Sequence, residues 1–298
     1  MIKLLFIGIV ATLLLTSCEV LQSSVQIPEQ INTTTEIDTQ PTSNETNSTN
    51  ITITPPPIII QPRNGSLNLY FLNIQGDATI VQKDSESILI NGGRESDSST
   101  ILKTIRDLGI GDLGYVLLTN PSYDTIGSIP YIALRAKPKK IYESGLSDGS
   151  TNYKLIKEVF GNTTIVPHNT IIDFDNALTK ILVAYDDGQG LSPRVADNSL
   201  VVKMVYGNTK ILLMGSCGFE CEERLSDEDL DADILRISDD CSASSLTFLK
   251  KVNPEIAIVK DICSEVEQRF INLAVPLYKI KDGNIVVYVK EDSYEVIR

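Results

Sequence analysis

Apolar and polar positions alternate along much of the chain, and the pattern breaks at short polar turns. The stretch 67–73 alternates and is rich in Leu, Tyr and Phe, and 78–82 and 87–90 follow after polar turns; all three read as strands. Helical spacing takes over next. Ile101, Leu102, Ile105 and Leu108 share one face, with Ser99 or Thr100 as N-cap and Gly109 as the stop. The run 115–119 is wholly apolar, as expected of a buried strand, and a second helix is predicted over 151–160 with a strand over 163–166 behind it. Further on, 199–206 and 209–214 flank Gly207-Asn208 and predict a tight hairpin. The segments 233–237 and 256–259 read as strands, and 242–252 and 264–274 as helices. The segments 276–280 and 284–290 read as a closing hairpin around Asp282-Gly283. Two halves, each mixing strands and helices, predict an α/β fold of two facing sheets with helices outside.

The first 66 residues follow neither period. Lys3 precedes an apolar run over 4–15, too short to span a bilayer comfortably, and Leu15-Thr16-Ser17-Cys18 resembles a lipobox. Residues 1–18 therefore read as a lipoprotein signal peptide with Cys18 as the lipidated residue; an uncleaved anchor helix or an ordinary signal peptide is the alternative. The expected location is extracytoplasmic, anchored to the cell membrane by lipid. Residues 19–66 are dominated by Ser, Thr, Asn and Gln and carry Pro55-Pro56-Pro57 and Pro62, the composition of an extended tether. Asn32, Asn44, Asn47, Asn50, Asn64 and Asn162 stand in Asn-x-Ser/Thr glycosylation sequences. Residues 67–298 remain as the folded domain, long enough for a sizeable core.

Acidic residues outnumber basic ones 39 to 26, a formal charge of −13. Nucleic-acid binding rests on cations neutralising phosphates, so nucleic acid is disfavoured as a partner. Only Lys137, Lys139 and Lys140 cluster. His168 is the single histidine, expected to be a surface or packed residue, and it excludes any site built from several imidazoles. Besides Cys18 there are Cys217, Cys221, Cys241 and Cys263. An even count outside the cytoplasm favours disulfides, and proximity in sequence favours Cys217–Cys221 and Cys241–Cys263. A structural zinc site on the same four, or a free thiol at Cys217 or Cys241, is the alternative.

Several segments taken in order resemble the metallo-β-lactamase fold, and within it the extracytoplasmic domain of ComEC-type competence proteins. Asn73-Ile74-Gln75-Gly76-Asp77-Ala78 resembles that family's V-G-Q-G-D-A turn, and Leu89-Ile90-Asn91-Gly92-Gly93 its L-I-D-x-G. Thr119 to Gly127 stands where the family has T-H-x-H/D-x-D-H-x-G. Asn198-Ser199-Leu200-Val201 is similar to N-x-S-L-V, and Leu212-Leu213-Met214-Gly215-Ser216 to L-L-T-G-D. Leu235 to Ser242 is similar to L-K-V-x-H-H-G-S, and Val252-Asn253-Pro254-Glu255-Ile256-Ala257 to the V-x-P-x-x-A behind it. The resemblance implies an αββα sandwich with a hydrolytic metal site at one edge of the two sheets.

The resemblance also implies that most metal ligands are replaced. Asn120, Ser122 and Thr125 stand at ligand positions of the first loop, Ser216 at the bridging aspartate, and Asp239 and Asp240 at the His-His pair; only Asp124 keeps the family identity. Asn, Ser and Thr oxygens are weak zinc ligands. The expectation is a metal-free, non-catalytic domain without cofactor, serving binding or envelope structure, with Asp124 capping backbone N–H groups of its loop. The rival expectation is a hydrolase, phosphodiesterase or nuclease-like, holding a divalent ion on Asp124, Asp239, Asp240 and Asn120. A third reading turns Asp239 and Asp240 to solvent. The sequence names neither ligand nor protein partner.

Overall fold

The computed structural model describes residues 61–161, 163–184 and 191–298. The leader, Cys18, most of the tether and the acceptors Asn32, Asn44, Asn47, Asn50 and Asn162 lie outside the described residues.

Among the described residues fifteen strands form two sheets. The first holds β1 (Leu67–Phe71), β2 (Thr79–Lys83), β3 (Glu86–Ile90), β4 (Tyr115–Leu118), β5 (Lys140–Glu143) and β6 (Thr164–Ile165). The second holds β7 (Thr170–Phe174), β8 (Ala177–Val183), β9 (Leu200–Tyr206), β10 (Thr209–Leu213), β11 (Ile234–Arg236), β12 (Ile256–Val259) and β13 (Leu277–Lys279). The chain then returns to the first sheet as β14 (Ile285–Lys290) and β15 (Ser293–Ile297). The orders are β15-β14-β1-β2-β3-β4-β5-β6 and β13-β12-β11-β10-β9-β8-β7. The helices are α1 (Ser98–Asp107), α2 (Tyr123–Ile126), α3 (Ile129–Ala136), α4 (Thr151–Phe160), α5 (Phe219–Arg224), α6 (Leu246–Val252) and α7 (Ser264–Asn272).

Strands apolar on both faces produce the layering. On β1, Leu67, Leu69 and Phe71 point into the core between the sheets, while Tyr70 joins Ile101, Ile105, Ile129, Ile132 and Ile156 under α1, α3 and α4. On β10, Ile211 and Leu213 face the first sheet, and Leu212 packs with Leu249, Val252, Val266 and Phe270 under α6 and α7. Alternation with apolar residues on both sides is what a sheet covered on both faces requires. The architecture is the predicted αββα sandwich.

Three expectations are corrected. Neither Ser99 nor Thr100 is the N-cap of α1, which starts at Ser98 behind Asp97. The segments 276–280 and 284–290 do not form a hairpin: β13 lies parallel to β12 in the second sheet, and β14 pairs with β1 and β15 in the first. Asp282-Gly283 marks the crossing between sheets; the closing hairpin turns at Glu291-Asp292. The helix expected over 242–252 starts at Leu246, because the Ser245 hydroxyl accepts the Phe248 N–H at 3.1 Å and leaves Cys241–Ser244 as a loop. The helices α2, α3 and α5, the hairpin of β7 and β8, and strands β5 and β15 are additions to the predicted set.

Gln61–Ser66, tether by composition, touch the domain. Tyr288 Oη donates to the Gln61 carbonyl at 2.9 Å, Arg63 stacks 3.9 Å over the Tyr288 ring and donates to Glu295, and Ser66 is buried. Asn64 lies in an exposed turn.

Candidate functional site

The parallel strands β3, β4, β10, β11 and β12 all deliver loops from their carboxyl ends, where open sheets of this kind form crevices. Two hydrogen bonds fasten the sheets together there: Leu200 N–H to the Thr119 carbonyl at 2.8 Å, and Asn120 Nδ2 to Ser199 Oγ at 2.9 Å.

A polar circuit runs through this edge. Asn91, just past β3, accepts the Thr119 N–H at 2.9 Å and donates to Asp77 Oδ2 at 2.7 Å. Asp77 Oδ1 accepts from Arg236 Nη2 at 3.2 Å, and Arg236 Nη1 donates to Asp239 Oδ1 at 3.2 Å and to the Ile237 carbonyl. Asp239 Oδ1 also takes the Lys260 N–H at 3.0 Å, and Lys260 Nζ returns to the Gln75 and Gly76 carbonyls beside Asp77. Arg236 is fully buried; burial disfavours its charge, but Asp239 and Asp77 outweigh that and hold its pKa above the ordinary value. Its Nε has no hydrogen-bond partner among the described residues. The turn carrying Asp77 is set by Asp97, whose carboxylate accepts the N–H groups of Gln75, Gly76 and Arg94. Gly76 is required there, since a Cβ would sit 2.4 Å from the Asp124 carbonyl.

The loop after β4 brings Asn120, Ser122 and Thr125 together. Asn120 Oδ1 accepts the Ser122 N–H at 2.9 Å, Thr125 Oγ1 donates to the Asn120 carbonyl at 2.9 Å, and the Ser122 and Thr125 hydroxyls lie 3.1 Å apart. Asn120 and Thr125 are buried. The Asp124 carboxylate is not the cap of this loop, a role that Asn120 takes. It receives Arg94 through two donors, Nε at 2.7 Å and Nη2 at 3.1 Å.

Asp239 is exposed to solvent and at the same time belongs to the circuit; Asp240 is half-buried. Asp240 accepts the Ser242 N–H at 2.8 Å and pairs with Arg194, whose Nε also lies 3.6 Å from Asp197. Burial raises the Asp240 pKa, but the hydrogen bonds from Ser242 and Arg194, with the Arg194 charge, hold it below the usual carboxylate range. Asp124, Asp239 and Asp240 thus face three different arginines. Among the described residues no group of three or more His, Cys, Asp or Glu side chains could hold a metal ion. Ser216 is half-buried in the turn after β10.

Both expected disulfides are formed. Cys217–Cys221 is buried and ties the turn after β10 to α5, and Cys241–Cys263 joins the loops after β11 and β12. His168 lies away from the other candidates: its Nδ1 accepts the Val183 N–H at 3.0 Å, which leaves the ring proton on Nε2, facing Glu228 at 2.7 Å. The sequence reading missed Arg94, Arg194, Arg236 and Lys260. Each is an isolated cation with no spacing signature, and Arg236 meets a partner 159 positions away. It also missed Glu222 on α5, a buried carboxylate accepting the Ser244 and Ser245 N–H groups, whose burial pushes its pKa up to about 7 despite those bonds.

No family model matches the chain, and no curated protein matches it. Solved structures do. The metallo-β-lactamase-fold protein YhfI of Bacillus subtilis is similar at TM-score 0.51 and 9% identity, over 78% of this chain and 100% of that one. A variant of the CmlA β-hydroxylase is similar at TM-score 0.52 and 10% identity, over 76% of this chain and 55% of that one. Likeness at such identity concerns the fold alone.

Proposed function

We propose that this metallo-β-lactamase-fold domain is a non-catalytic binding module of the cell envelope, held outside the cytoplasm by a lipid on Cys18. One observation carries the reading. At the edge where a hydrolase of this fold keeps its metal, the carboxylates are engaged by the chain's own cations: Asp124 by Arg94, Asp240 by Arg194, and Asp77 and Asp239 by Arg236. The remaining donors, from Asn120, Ser122 and Thr125, are neutral oxygens bonded to one another. Such a set does not fit a hydrolytic transition-metal ion, which needs imidazole, thiolate or free carboxylate ligands and an open position. The order of motifs along the chain resembles that of ComEC-type ectodomains, and its acidic charge argues against DNA as the ligand.

Elemental analysis of the full chain, purified without chelators, tests this reading. It predicts transition metal well below one ion per chain, and no hydrolysis of model phosphodiesters with added Mn²⁺. Metal near one per chain, held outside the cysteines, overturns it. So does hydrolysis that disappears in Asp124→Ala, which would install the oxygen-ligand hydrolase instead.

A further inference from the structure

At the carboxyl-terminal ends of α1 and α3 the two helices part around a cavity of about 300 Å³. Leu102, Ile105, Ile110 and Ala136 line it with apolar surface, and Arg106 and Arg135 stand at its mouth. Basic residues in a last helical turn suit the helix dipole, but that does not explain an apolar groove left open between two of them. Arg135 donates to the Tyr131 carbonyl of its own helix and has no carboxylate partner among the described residues. Arg106 lies 3.9 Å from Asp107, which already holds Lys103. On the next stretch of α3, Leu134 is 59% exposed, and Lys137 follows in the left-handed region with its side chain in solvent. Lys103, Arg106, Arg135 and Lys137 thus outnumber Asp107 and Asp112 here, beside the half-buried Leu102 and Ile110 and the exposed Leu134, on a chain whose formal charge is −13.

We propose that this groove docks the domain onto an anionic phospholipid bilayer. The guanidiniums of Arg106 and Arg135 take phosphate oxygens, and Leu102, Ile110 and Leu134 meet the acyl boundary beneath them. The pairing follows from charge and polarity together. A guanidinium offers planar donors suited to phosphate, an anionic leaflet attracts cations within a Debye length, and the apolar floor gains by leaving water. A soluble anion would use the arginines and leave the floor wet. This surface is separate from the sheet edge, so the metal and turnover measurements do not bear on it.

The test uses the full chain without lipid modification, floated with vesicles of phosphatidylcholine alone or mixed with phosphatidylglycerol. Any contribution of the apolar stretch 4–15 is common to all variants. The expected result is stronger binding to the anionic vesicles, weakened by salt, with hydrogen-exchange protection appearing in α1 and α3. The double variant R106Q/R135Q should lose about 25-fold in partition, at roughly fivefold for each cation near an anionic surface. K210Q/K281Q, which removes two cations elsewhere, should retain binding, and Leu134→Asp should weaken it. Circular dichroism verifies that each variant is folded. Equal binding by R106Q/R135Q and the parent overturns the proposal, as does an equal loss in K210Q/K281Q or equal binding to neutral vesicles. Full competition by inorganic phosphate also overturns it, in favour of a small-anion site.

Discussion

Arg236 Nη2 stands 3.2 Å from Asp77 Oδ1, and this contact ties β11 of one sheet to the turn that follows β1 in the other. The same guanidinium reaches Asp239, so one buried cation compensates two carboxylates. Arg236→Met should therefore cost about 1–3 kcal/mol, less than breaking a wholly buried ionic group, because Asp77 and Asp239 are themselves partly exposed. Replacing all three, as D77N/R236M/D239N, should recover most of it. Urea midpoints measure both. A single variant as stable as the parent would mean that the circuit does not hold the sheets together.

Gly218 gives a steric test of the Arg194–Asp240 pair. A Cβ there would lie 2.4 Å from Asp197 Oδ1 and 3.2 Å from Asp240 Oδ2. Asp197 is buried and cannot yield, so Gly218→Ala should cost about 1–3 kcal/mol by overpacking. Gly111, with nothing within 4 Å of its added Cβ, is the control: Gly111→Ala should stay within about 0.5 kcal/mol. Thermal melts of the two variants compare them directly.

Glu222 makes stability depend on pH. Burial raises its folded pKa from 4.5 to about 7, so the folded state binds the proton more tightly than the unfolded state does. Its contribution is then most favourable below pH 4.5 and is lost as pH rises through 7, by up to about 3 kcal/mol. Glu222→Gln should flatten that slope and match or exceed the parent above pH 8. Denaturant titrations across pH 5–8 read the difference, and parallel curves for the two proteins would contradict it.

The two disulfides should differ in access. Cys241 is exposed, whereas Cys217 and Cys221 are both fully buried. Under native conditions a dithiol followed by alkylation should label Cys241 and Cys263 first, and Cys217 and Cys221 only after unfolding. Peptide mapping reads the order. Losing the Cys241–Cys263 link, across 22 positions, should lower stability by about 3 kcal/mol on the loop-entropy scale.

Where a residue's role is decided by neighbours in sequence, it was legible. The wholly apolar run 115–119 announced the buried strand β4, and the helix Thr151–Phe160 lies where its pattern put it. Asp282-Gly283 misled because a turn dipeptide reports local bending and not which sheet the next strand joins. α3 was hidden by Pro130, which breaks a helix in its interior but is accommodated in the first turn, where it stands. At the sheet edge the sequence displayed the acidic partners and concealed the basic ones. Arg94 meets Asp124 across 30 positions and Arg194 meets Asp240 across 46, separations at which no periodicity survives.

β1 is flanked on both sides, by β14 and by β2, with antiparallel hydrogen bonding along its whole length. A pull on the chain at Gln61 therefore loads both ladders in shear, and all their bonds must give together before any residue is released. The Arg63–Glu295 pair shares that load with β15. Under such traction the rate of rupture, and not the equilibrium stability, governs how long the domain holds.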